Sequence, residues 1–164
     1  MSVGVEGSDV VGVAEHEAFQ ENERLALLCH DVPEPQAVIK TALQELGFKV
    51  HIASGAPDAM ERMRKTSYEV VVLDEEFQGG TPHDNPVLRV IQSMTMAVRR
   101  HVFVALVGKQ FKTFDNMMAF GKSVNAVVNV NDLLQIKAIL RQGIADTDGF
   151  YRVFRQVLLE TGRR

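Results

Sequence analysis

Val70-Val71-Val72-Leu73-Asp74 decides the fold: four apolar residues, three of them β-branched, closed by a lone acid. A run this short, with no polar alternation, reads as a strand buried on both faces inside a parallel sheet. An acid at its C-terminal tip stands where open α/β sheets gather their ligands. A second run, Leu25-Ala26-Leu27-Leu28-Cys29-His30-Asp31, ends the same way. Two carboxylates at neighbouring strand tips suit a shared cation or a phosphoryl-accepting group.

Outward from these runs, short apolar strands alternate with segments of helical period, the mark of βα units. The other strands expected are Phe48–Ala53, His101–Val107 and Ala126–Val130. Pro33 and Pro35 open a helix carrying Val38, Ile39, Ala42, Leu43 and Leu46, and Gly47 stops it. Asn85-Pro86 caps another that carries Val87, Leu88, Val90, Ile91 and Met94. Thr113 is placed to cap a short helix through Phe120, and Asn131-Asp132 the one that follows Val130. Residues 1–22, rich in Gly and Glu, read as a tail or linker, residues 23–142 as the domain, and residues 143–164 as a C-terminal helical extension. Phe150, Val153, Phe154, Val157 and Leu158 mark that extra helix. Gly143 and Gly149 permit a break before it, which favours packing back on the sheet over self-association as a homodimer.

Composition narrows the function classes. A chain of 164 residues, 46% hydrophobic and 24% charged, is an ordinary globular domain with room for a core. A net charge of −3 offers no overall field for nucleic acid or anionic lipid. Cys29 is the single cysteine, which excludes an internal disulfide framework and fits a reducing compartment. No apolar run approaches a membrane span and no signal segment precedes the domain, so a cytoplasmic location is expected.

This order of elements and acids resembles the receiver domain of bacterial two-component response regulators, over residues 24 to about 142. The resemblance implies a flavodoxin-like (βα)5 fold: three layers around a five-stranded parallel sheet of order 2-1-3-4-5, here with an added C-terminal helix. It implies Asp74 as the phosphoacceptor equivalent, in an acidic pocket with His30 and Asp31, and Mg²⁺ held by Asp31, Asp74 and the carbonyl of Glu76. The first position of the family's acidic pair is His30, a poor Mg²⁺ ligand, so cation binding is expected to be weak or absent. The family's hydroxyl at the end of the fourth strand meets Val107-Gly108 here, its lysine on the fifth strand meets Asn129, and its mobile aromatic meets Ala126. A switch needs contacts that differ between its two states. The acceptor is retained and its reader is not. The expectation is a pseudo-receiver that is not an enzyme and works through protein partners, with a working phosphorelay acceptor as the alternative.

Other residues carry weaker signals. His30, Asp31, Asp74 and His83 match no transition-metal spacing, and Cys29 reads as a buried structural thiol. Gly79-Gly80 lacks the spacing of a phosphate-binding loop. Lys109, just past the fourth strand, starts from the wrong loop to replace the missing lysine. Met60, Met63, Met94, Met96, Met117 and Met118 read as core filler. Met117, Met118 and Phe120 nonetheless fall on the helix where receivers meet their partners, so exposure there would count toward a partner face.

Overall fold

Five strands form one parallel sheet in the computed structural model, which describes residues 23–162 apart from Pro82. The expected tail, residues 1–22, lies outside the described residues, as do Arg163 and Arg164. The strands are β1 (Leu25–Cys29), β2 (Lys49–Ile52), β3 (Val70–Asp74), β4 (Phe103–Gly108) and β5 (Ala126–Asn129). Their order is β2-β1-β3-β4-β5, so the chain reverses direction across the sheet between β1 and β3. β3 is central and buried along Val70–Leu73, which is why its sequence is a continuous apolar run rather than an alternating one.

Helices cover both faces. Helix α1 (Pro33–Glu45) and α6 (Ile136–Glu160) lie on one face, over Ala26, Leu28, Val72 and Phe103. Helices α2 (Ala56–Lys65), α3 (Pro86–Ser93) and α5 (Asn116–Lys122) cover the other, over Leu27, Leu73 and Leu106. A one-turn helix, α4 (Met96–Arg99), separates α3 from β4. Gly47, at φ +95°, reverses the chain after α1, a conformation that only glycine adopts without steric cost. The three-layer fold expected from the sequence is the one observed. Among the described residues, no helix is long and apolar enough to cross a membrane.

Three local expectations are corrected. Asp115, not Thr113, caps α5, accepting the Met118 N–H at 3.1 Å. Of the six methionines read as core filler, Met63 and Met94 pack against the core while only partly covered and Met60 is partly covered, but Met96, Met117 and Met118 are exposed. The expected break at Gly143 is absent: α6 runs unbroken for 25 residues. A Cβ at Gly143 would lie 2.6 Å from the Phe103 ring, so this glycine serves close helix–sheet contact rather than a bend. The extra C-terminal segment is therefore the continuation of the last helix.

Candidate functional site

The C-terminal tips of β1, β3 and β4 surround a cavity of about 260 Å³. Parallel pairing sets it, aligning Cys29 with Leu73, Asp74 with Val107, and Gly108 with Asn129. Asp74 and His30 lie at its floor, Glu76 and Lys109 are among the groups around it, and Val32, Pro35, Val130 and Leu133 supply its apolar lining. Asn85 holds the β3 tip in place. Its side-chain oxygen accepts the Val87 and Leu88 N–H groups that begin α3, while its amide donates to the carbonyls of Glu75 (2.9 Å) and Asp74 (3.3 Å). One side chain thus caps the helix and ties the Asp74 loop to it.

His30 is 5% exposed. Its Nδ1 accepts the Val32 N–H at 3.1 Å, which places the ring proton on Nε2. That nitrogen is 4.0 Å from Asp74 Oδ2, beyond hydrogen-bond reach. No side chain among the described residues donates to the Asp74 carboxylate, although the nearby backbone N–H of Glu76 favours its charged form. Burial pushes the Asp74 carboxyl above the ordinary carboxylate range; His30 opposes the shift, and the charges of Glu76 and Asp31 add to it.

Asp31 is engaged elsewhere. Its two oxygens accept the backbone N–H and the side-chain amide of Gln78, at 2.6 and 2.8 Å. Gln78 sits in a 3₁₀ turn after β3 with φ +56°, a left-handed conformation uncommon for a residue with a Cβ. The sequence reading passed over this clamp; the adjacent Gly79-Gly80 was the one hint that the loop turns sharply. The donors expected to hold Mg²⁺ do not converge. Asp31 is turned to Gln78, the imidazole of His30 stands in the first position of the expected acidic pair, and the described residues contain no cluster of three or more His, Cys, Asp or Glu able to hold a metal. This donor set does not fit an ion that demands an octahedron of oxygens.

The β4 and β5 tips are occupied differently. A Cβ on Gly108 would come within 2.3 Å of the Glu75 carboxylate and 2.7 Å of the Phe111 ring, so the slot admits no side chain. Glu75 is itself a buried acid that sequence reasoning missed, and burial raises its pKa. Val107 is fully buried among Ala126, Val128 and Leu133 on the α1–α6 face. The Asn129 amide donates to the Phe111 carbonyl at 2.6 Å, and its oxygen accepts the Asn131 N–H at 2.8 Å. Thr113 Oγ1 accepts the Asn129 N–H at 2.9 Å and pairs with Asp132. Lys109 does reach the β3 loop, where its Nζ pairs with Glu76 at 3.2 Å rather than with Asp74. His83, the remaining residue weighed as a ligand, is exposed on the loop beyond the 3₁₀ turn and is not among the groups lining the cavity.

The expected partner face is open. Met117 is 79% and Phe120 81% exposed, with Met118 and Phe114 partly so.

No protein-family model matches this sequence, and no curated protein matches it. Solved structures do. The receiver domain of the sensor histidine kinase PA1611 from Pseudomonas aeruginosa, with magnesium in its active-site cleft, is 18% identical, with a TM-score of 0.58 over 75% of this chain and 98% of that one. The signal receiver domain of a putative Luxo repressor protein from Vibrio parahaemolyticus is 11% identical, with a TM-score of 0.61 over 80% and 97%. The receiver domain of Francisella response regulator 1452 is 13% identical, with a TM-score of 0.59 over 76% and 99%. At these identities the likeness is one of fold, and the fold is that of a receiver domain.

Proposed function

We propose that this chain is a receiver-type signalling module that works by docking protein partners, without catalysis of its own and without a full phosphorylation switch. One observation carries the reading: the groups at the β4 and β5 tips are committed to the scaffold. Gly108 has no room for a side chain, Val107 faces the core, and both ends of the Asn129 amide are bonded to backbone. A phosphoryl group on Asp74 would meet no hydroxyl or free ammonium from these strands. Without a contact that differs between phosphorylated and free forms, there is no free energy to move a population. The exposed Met117–Phe120 surface of α5 supplies the apolar area that a partner would cover.

A working phosphoacceptor is the second reading, and one feature favours it. Asp74 opens onto a cavity of about 260 Å³ with no side chain bonded to its carboxylate, and Lys109 stands at the margin. The two readings separate in one experiment. The purified protein is exposed to a small-molecule phosphodonor with and without Mg²⁺, and intact mass is compared with that of Asp74→Ala. No adduct on a folded protein is the expected result. A Mg²⁺-dependent adduct lost in Asp74→Ala would establish the acceptor and overturn the docking-only reading.

A further inference from the structure

Helix α6 changes character along its length. Ile136, Ile139, Leu140 and Gly143 are buried against the sheet and α1. The same stripe continues as Phe150, Phe154 and Val157, which are exposed, and every residue from Arg152 to Val157 is exposed. Helices run antiparallel to their strands in βα units, so this outer half passes the end of the sheet where β1 begins. The cavity at that end shows it: Arg24, just before β1, shares about 310 Å³ with Arg100, His101, Tyr151 and Arg155. The described chain therefore begins, at Glu23 and Arg24, beside the uncovered stripe.

The charges of the two partners are opposite. Residues 1–22 hold five acids (Glu6, Asp9, Glu15, Glu17, Glu21) and no Lys or Arg. Against the chain's net charge of −3, that leaves a balance of +2 for the rest. Arg152 and Arg155 flank the stripe; at its root Arg24 is already paired with Glu69 at 3.0 Å, and Arg100 shares the cavity with Asp148. The tail's one aromatic, Phe19, lies five residues before Arg24. That span reaches about 16 Å when extended, while Val157 is only about 9 Å along the helix from Tyr151.

We propose that residues 1–22 cover the outer half of α6, with Phe19 against Phe154 and Val157 and the tail acids against Arg152 and Arg155. The contact removes an apolar stripe from water and neutralises the arginines beside it. It stands apart from whether Asp74 accepts phosphate.

The test uses the full chain carrying Phe19→Cys and Val157→Cys; the natural Cys29 is fully buried and stays out of the reaction. Mild oxidation should give a disulfide within one chain, read by intact mass and non-reducing electrophoresis. Its yield should fall severalfold at high salt and in Arg152→Glu/Arg155→Glu. Cross-linking between chains instead would overturn the proposal and make a second copy the occupant. No cross-link, with both thiols open to alkylation, would overturn it too and leave the stripe to another protein. Hydrogen exchange on the unmodified chain is the second measurement. Amides from Phe150 to Leu159 should be slow and should speed up severalfold when Glu15, Glu17 and Glu21 are changed to Gln. Equal exchange in both proteins would count against the tail.

Discussion

The two halves of the strand-tip cavity use their polar groups in opposite ways. At β1 and β3, Asp74 has no side-chain bond and His30 holds its Nε2–H 4.0 Å away, so chemistry-bearing atoms remain open. At β4 and β5, Asn129, Thr113 and Asp132 bond to backbone or to one another, and Gly108 closes the space where a side chain would project. One half is available and the other is scaffold. The contrast is what the proposed reading rests on: a strand-end acid can act as a switch only where the opposite wall is free to respond to it.

Attempts to rebuild the scaffold half should break it most severely. Gly108→Thr forces atoms into the Glu75 carboxylate and the Phe111 ring and should cost about 3 kcal/mol, as overpacked cores do. The chain has no Trp, so urea unfolding followed by far-UV circular dichroism is the measurement. A stable Gly108→Thr that also took phosphate would erase the contrast. Asn129→Ala comes next, stranding the Phe111 carbonyl and the Asn131 N–H for about 2 kcal/mol. Asn129→Lys should lose a similar amount and gain no response to phosphodonor, because its cost is the same pair of lost bonds.

The open half should react in the other direction. Burial raises the Asp74 carboxyl, so the native state binds its proton more tightly than the unfolded chain does. Stability from this group is present below the ordinary carboxylate pKa and is lost as pH rises toward the raised native value. Asp74→Asn should therefore raise the melting temperature at neutral pH by about 2–4 °C, the equivalent of roughly 1 kcal/mol. The gain should vanish on acidification below the carboxylate range; a gain that persisted there would point to something other than charge burial.

The smallest effect sharpens the functional side. Met117→Ser and Phe120→Ser should change stability by no more than about 0.5 kcal/mol, since both side chains are solvated. Capture of the protein's signalling partner should nevertheless weaken at least tenfold, read by titration once that partner is in hand. Retained affinity would remove α5 as the docking face.

Much of this molecule was legible in one dimension. The lone acid after Val70–Leu73, the second after the β1 run, and the alternation of strand and helix patterns determined the sheet, its layers and the end of it at which His30, Asp31 and Asp74 stand. Hydrophobic periodicity is local and survives as plain text. What only the tertiary structure decided lies in contacts between residues far apart in the chain. Gln78 turns Asp31 away across 47 positions, and Asn129 is spent on a loop 18 residues earlier. Gly143 presses against Phe103 instead of breaking the helix. Each depends on which atoms the packed sheet leaves within about 3 Å of one another, a distance that residue spacing alone does not encode.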